Sequence, residues 1–277
     1  MTRGTAPLAG LVRACHPEPS LAVTAVGVAL AVAGGRGAAG SAAVGATVLA
    51  GQLATGWCND WVDADRDRAA GRAEKPVVAG TVTMEAVRAA AVTAVVAVVP
   101  LAFLSGWRAG LAHTGAVALA WAYDLGWKAS LLSVVAYAGA FALLPAFVSL
   151  GLPGHPWPAW WVLAAGALLG AGAHLANALP DLSDDLVLGV RGLPQRLGAT
   201  HSRLGAALLL LVASVVLVLG PGDVGTAALV GLAVACAVVA VGLVAGRRPG
   251  SVAPFRVALA LAVLDVGLLV ARGSSLA

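Results

Sequence analysis

Charge is what this sequence has least of: 11% of its 277 residues are Asp, Glu, Lys or Arg, where a soluble domain carries about 25%. So little charge cannot cover a water-exposed surface of this size, and the mean hydropathy of +0.92 argues the same way. Period-two alternation of apolar and polar residues is also missing, which excludes a membrane β-barrel. The three cysteines, Cys15, Cys58 and Cys236, lack the spacing of a disulfide framework or a zinc site. No Ser-His-Asp or Cys-His arrangement stands out, so covalent catalysis has no candidate.

What is present is Ala, Val, Leu and Gly in long runs, with 60% of residues hydrophobic. With lipid as solvent, a chain that cannot close a barrel must satisfy its backbone inside helices. Nine segments near the ~20 residues needed to cross a bilayer can be read, at 20–35, 38–58, 84–105, 109–126, 129–152, 158–180, 202–220, 223–246 and 252–271. Trp57, Trp61, Trp107, Trp127, Trp157, Trp160 and Trp161 fall near their ends, as an interfacial aromatic belt requires. Nine crossings sort the seventeen basic residues fourteen to three. Arg3, Arg13, Arg66, Arg68, Arg72, Lys75, Arg88, Lys128, Arg191, Arg196, Arg203, Arg247, Arg248 and Arg256 share the side of the N-terminus, against Arg36, Arg108 and Arg272. This excess makes the N-terminal side cytoplasmic in a multi-pass protein of the inner membrane. It also accounts for the formal charge of +4, so no nucleic acid partner is expected. Arg3 and Arg13 before an apolar stretch mimic a secretory signal, but the charge partition needs that stretch as an uncleaved first span. One domain over 1–277 is expected.

Seven of the thirteen acidic residues sit in two short segments, Asn59-Asp60-Trp61-Val62-Asp63-Ala64-Asp65-Arg66-Asp67 and Asp181-Leu182-Ser183-Asp184-Asp185. On a helix Asp60, Asp63 and Asp67 share one face, extended by Gln52 and Gly56, and His174, Asn177, Asp181, Asp184 and Asp185 do the same. Carboxylates this close repel unless something positive arrives. Hard oxygen ligands at this density suit Mg²⁺, which commonly bridges carboxylates to substrate phosphates. Two such clusters at one membrane face can grip a diphosphate, with Arg68, Arg72, Lys75, Lys128 and Arg196 taking the remaining phosphate oxygens. The competing reading is a solvated juxtamembrane loop neutralised by its own arginines. Two clusters, each aligned with polar residues of its span, favour the site. An EF-hand is excluded although Asp63, Asp65, Asp67 and Glu74 fall at calcium-ligand spacing, because Arg68 stands where that loop needs Gly.

At these residues the chain resembles the UbiA superfamily of intramembrane prenyltransferases. The family's first motif, NDxxDxxxD, is matched by Asn59, Asp60, Asp63 and Asp67, followed by Gly71-Arg72 and Lys75-Pro76. Its second, DxxxD, is matched by Asp181 and Asp185, with Asp184 as an extra acid and Gly189, Leu193-Pro194 and Gly198 downstream. Arg13 and Pro17 match a short N-terminal pattern. The family's Tyr-x-x-x-Lys departs here: Tyr123 and Lys128 are one residue too far apart, while Asp124 and Lys128 keep helical spacing. The resemblance implies nine spans around a central apolar cavity. It implies an allylic prenyl diphosphate held through Mg²⁺ at Asp60, Asp63, Asp67, Asp181 and Asp185, with Lys128 also at the reacting end. Asn59, Arg68, Arg72, Lys75, Tyr123, Asp124, Asn177, Asp184 and Arg196 would contact substrate. The prenyl group would pass to a lipophilic, aromatic acceptor reached from membrane lipid.

Two alternatives stay open. A terpene cyclase would use the same ionisation site with no acceptor. A transporter would place its acids near the bilayer middle, and these acids lie at one face. Asp265 and His113 lie within spans, and structural hydrogen bonding is the expectation for both; His174 and Asn177 lead into the second cluster and are candidates for the pocket.

Overall fold

The computed structural model describes residues 5–222, 224–248 and 250–271, so Arg3 and Arg272 lie outside the described residues. Among these, twelve α-helices and one short 3₁₀ turn account for the regular structure. In chain order they are α1 (Thr5–Ala14), α2 (Pro17–Ala33), α3 (Gly37–Val62), α4 (Ala64–Ala69), α5 (Met84–Phe103), α6 (Trp107–Leu125), the 3₁₀ turn Trp127–Ala129, α7 (Leu132–Leu150), α8 (Trp160–Asn177), α9 (Leu182–Val187), α10 (Leu193–Leu219), α11 (Thr226–Ala245) and α12 (Ala253–Ala271). Nine of them match the nine segments read from hydropathy. By length and apolarity six are fit to cross a membrane, or seven when α1 and α2, bent by 60°, count as one broken span.

Local chemistry sets the boundaries. Thr83 caps α5 by accepting from the Ala86 amide at 3.2 Å. Pro17 opens α2, where its missing N–H costs nothing. Pro100 and Pro145 sit inside α5 and α7, as apolar helices with close neighbours tolerate. Gly198, at φ 77°, divides α10 into a short first turn and a long apolar rod. That explains why the hydropathy pattern starts only at 202.

The helices close into a ring. α2 packs on α3, α3 on α5 and α6, α6 on α7, α7 on α8 and α8 on α10, and α12 returns to α2 while α11 covers α10 and α12. Small residues allow the closest of these approaches. A Cβ at Gly166 would come within 2.8 Å of the Phe141 carbonyl oxygen, and one at Gly170 would strike the carbonyl of Tyr137. The four-residue glycine spacing therefore seats α8 on α7.

The ends of the ring differ. At one end Arg36 donates to Ser105 Oγ at 3.2 Å. At the other, α4, the 3₁₀ turn and α9 cap the bundle, and both Asp-rich segments lie there. Trp57 Nε1 donates to the Leu11 carbonyl at 2.9 Å, and Gly56 presses so close to Cys15 that any side chain would meet its carbonyl oxygen. These two contacts fasten the α1–α2 corner to α3, one turn before Asp60.

Candidate active site

The first acidic segment keeps its helical register across a break. α3 ends at Val62, yet Asp63 N–H still donates to the Asn59 carbonyl and Asp67 N–H to that of Asp63, at 2.9 and 2.7 Å. Asp60, Asp63 and Asp67 thus share a face, as their spacing predicts. The second segment starts a new helix: Asp181 precedes α9, and the Asp185 amide donates back to its carbonyl at 2.9 Å. Asp184 faces solvent.

Each inward carboxylate is met by a cation. Asp60 is 2% exposed, and its Oδ1 accepts from Lys75 Nζ at 2.7 Å and lies 2.9 Å from His16 Nε2. Asp63 pairs with Lys128 and, at 3.1 Å, with Arg66. Asp67 Oδ1 accepts from Arg72 Nη1 at 2.8 Å. Arg72 Nη2 lies 3.3 Å from Asp181 Oδ1 and 3.7 Å from Asp185 Oδ1. One guanidinium therefore spans both acidic segments. Asp185 Oδ2 also accepts from Gln195 Nε2 at 2.9 Å. Burial pushes the Asp67 carboxyl above its usual range although Lys75 and Arg72 oppose the shift. Burial, reinforced by Asp181, does the same to Asp185. Desolvation works to lower Lys75, but the charge and hydrogen bond of Asp60 prevail and raise it.

Part of this group faces a cavity of about 640 Å³, whose wall includes Asn59, Asp63, Arg72, Lys75, Lys128 and Asp181 at one end, while Asp60 and Asp67 are buried behind that wall. Tyr123, Asp124, Asn177 and Asp185 line it too. Deeper in, its wall becomes mostly apolar, with Val48, Ala116, Val117, Ala140 and Leu144, interrupted by Gln52 and His113. Asn59 Nδ2 donates to Asp124 Oδ1 at 2.9 Å. Tyr123 and Tyr137 meet edge to face at 5.0 Å, with His174 within 5.6 Å of Tyr123, and Asn177 donates to the Tyr137 hydroxyl at 3.1 Å. His174 itself lies behind that wall, its Nε2 3.0 Å from Ser133 Oγ.

Not every expected residue joins this group. Arg68 faces outward and pairs with Asp65 at 2.5 Å. Arg196 is exposed and donates to the Arg191 carbonyl at 2.8 Å. Asp184 is exposed as well. Asp124 and Lys128 do not share a helix: α6 stops at Leu125, Gly126 turns the chain, and Lys128 on the 3₁₀ turn reaches Asp63 instead. His16, Arg66, Tyr137 and Gln195 are at the site without having been singled out from sequence. Gln195 directly follows Leu193-Pro194, and His16 lies between Arg13 and Pro17, so both stand beside residues that carried the family resemblance.

Among the described residues, no three His, Cys, Asp or Glu side chains converge as a preformed metal site. The donor set nonetheless fits Mg²⁺. Five inward carboxylates supply hard oxygen, four cations touch them, and Asp60 Oδ2 is buried with no hydrogen-bond partner.

Comparison with known proteins places this architecture. A model of the UbiA prenyltransferase family matches residues 20–263. Over 160 residues the chain is 34% identical to a 4-hydroxybenzoate octaprenyltransferase of Ralstonia nicotianae, a match covering 55% of this chain and 52% of that protein. The chain thus spans about half the length of this curated relative. The fold is that of a UbiA homologue from Aeropyrum pernix K1 in its apo form, with a TM-score of 0.69 at 20% identity over 91% of this chain and 96% of that one. A UbiA homologue from Archaeoglobus fulgidus bound to GPP and Mg²⁺ aligns with a TM-score of 0.68 at 17% identity, over 95% of this chain and 98% of that one.

Proposed function

The chain belongs to the UbiA prenyltransferase family, and from that premise we propose that it is a Mg²⁺-dependent enzyme transferring the prenyl group of an allylic diphosphate to a lipophilic, aromatic acceptor. The observation that carries this reading is the single guanidinium of Arg72 joining the two acidic segments. It makes them one headgroup-sized site at the mouth of a cavity that turns apolar with depth. The A. fulgidus homologue bound to GPP and Mg²⁺ supports the same ligand class for this fold.

In this proposal Asp60, Asp63, Asp67, Asp181 and Asp185 hold the Mg²⁺. The metal, when bound, supplies positive charge to the departing diphosphate. Arg72, Lys75 and Lys128, displaced from carboxylates, neutralise the phosphate oxygens as the C–O bond breaks. Tyr123 and Tyr137 on the cavity wall can offer ring faces to the allylic cation, the side of the aromatic quadrupole that attracts positive charge. The apolar depth of the cavity keeps water from quenching that cation. Asn59 holds Asp124, and Asn177 holds Tyr137, fixing the wall against which the acceptor attacks. All nine long helices cross the membrane in this reading, with the N-terminus and both acidic segments on the cytoplasmic side of the inner membrane.

The test is incubation of the purified protein with Mg²⁺, prenyl diphosphates of several lengths and lipophilic phenols. Diphosphate release that depends on the phenol, with a prenylated phenol as product, is expected. Release without any acceptor, yielding a cyclic hydrocarbon or alcohol, would replace transfer with cyclisation. No release under any condition would sink both.

A further inference from the structure

At the end of the bundle that carries the acidic segments, the basic residues are opposed unevenly. Arg66, Arg68, Arg72, Lys75 and Lys128 each pair with a carboxylate. Between Leu186 and Leu264 the sequence has six arginines and one acid, Asp223, which falls in the connection between the far ends of α10 and α11. Arg256 pairs with Glu18 at 2.9 Å. Among the described residues, the other five, Arg191, Arg196, Arg203, Arg247 and Arg248, pair with no carboxylate. Three of these share one corner. Arg203 Nη1 donates to the Gly246 carbonyl at 3.2 Å, and exposed Arg247 and Arg248 follow directly. A Cβ at Gly246 would lie 3.3 Å from Arg203 Cδ and 2.6 Å from Pro254 Cγ, so α10, α11 and α12 meet there. α10 and α11 pack on each other, and both are long and apolar enough to cross a membrane. Leu204 and Leu208 follow Arg203 on α10, Val241 and Val244 precede Arg247 on α11, and all four are exposed.

We propose that this corner binds an anionic phospholipid, with the guanidinium groups of Arg203, Arg247 and Arg248 on the phosphate oxygens and the leucines and valines against the acyl chains. Guanidinium groups match phosphate oxygens with paired, charge-assisted hydrogen bonds. Basic residues gathered between membrane helices at one face hold headgroups of this kind. The exposed Leu and Val favour a lipid over a soluble phosphate, which has no hydrocarbon to place on them. The lack of a carboxylate partner favours a lipid of net negative charge over a zwitterionic one, whose own ammonium would find three like charges here. The bound lipid ties α10 and α11 to the start of α12, whose Val252 and Phe255 flank the large cavity.

The experiment follows thermal unfolding of the delipidated protein in a neutral detergent while phosphatidylglycerol, phosphatidylcholine or glycerol 1-phosphate is titrated in. Phosphatidylglycerol should raise the unfolding midpoint, and the other two should leave it unchanged. The side chains of Arg247 and Arg248 make no hydrogen bond among the described residues, so the double variant Arg247→Gln/Arg248→Gln keeps the fold. In it, the phosphatidylglycerol needed for half the shift should rise ~25-fold, or ~5-fold per arginine. Arg88, exposed at the start of α5 on another side of the ring, is the control for general surface charge. Arg88→Gln should stay within about twofold of wild type, because charges that far from the corner are screened. No shift with phosphatidylglycerol, or an equal one with phosphatidylcholine or glycerol 1-phosphate, overturns the inference. So does an unchanged titration in the double variant, or an equal loss in Arg88→Gln.

Discussion

Arg72 reaches Asp181 at 3.3 Å while its other terminal nitrogen holds Asp67 at 2.8 Å. More than a hundred residues of chain separate those two carboxylates. Replacing Arg72 with Ala should lower kcat/KM ~100- to 1000-fold, the usual loss when one donor to developing charge is removed. Lys at this position should restore little, because its compact ammonium lacks the planar fork whose two terminal nitrogens reach Asp67 and Asp181 separately. Steady-state diphosphate release measures both variants, and near-normal turnover of Arg72→Ala would separate the two segments functionally.

Asp60→Asn and Asp181→Ala should each cut turnover at least ~100-fold without unfolding the protein. Detergent gel filtration and far-UV circular dichroism check the fold beside the kinetics. Full activity in either variant would refute the assignment of that carboxylate.

Chelation with EDTA should stop diphosphate release, and added Mg²⁺ should restore it. The helical content should survive chelation, since Lys75, Lys128, Arg66 and Arg72 already oppose the acids. A cooperative loss of helix on chelation would contradict this.

The Mg²⁺ needed for half-maximal turnover should rise as the solution is acidified. Asp67 and Asp185 sit above the ordinary carboxylate range because of burial. A raised value means that protons return sooner on acidification, and a protonated carboxyl is a poor ligand. Below the raised value, the requirement should grow up to ~10-fold per pH unit for each carboxylate that titrates. Mg²⁺ titrations at pH values between neutrality and 5 test the sign, and a falling requirement at low pH would reverse it.

Gly170→Val should destabilise the bundle by ~1–3 kcal/mol, because the added atoms strike the Tyr137 carbonyl. Thermal unfolding in detergent reads this directly.

The positions of the long apolar helices could be read from hydropathy because each is a local property of about twenty residues. The alignment of Asp60, Asp63 and Asp67 was legible for the same reason, as helical spacing survives the break at Asp63. The partners of these acids were less so. His16 lies forty-four residues from Asp60, and Asn59 sixty-five from Asp124, distances that only the closed ring brings together. Lys128 misleads through its neighbour: four residues after Asp124 looks helical, but Gly126 ends the helix and sends the ammonium to Asp63. Arg68 and Arg196 show that basic residues at the right face need not point the right way.

The ion pairs between Lys75 and Asp60, Lys128 and Asp63, and Arg72 and Asp67 have a consequence for the life of the protein in a cell. A chain that carries its own counter-ions can be inserted and stored before magnesium reaches it. Under the proposed Mg²⁺ dependence, scarcity of the ion would idle the site while these pairs keep the bundle folded.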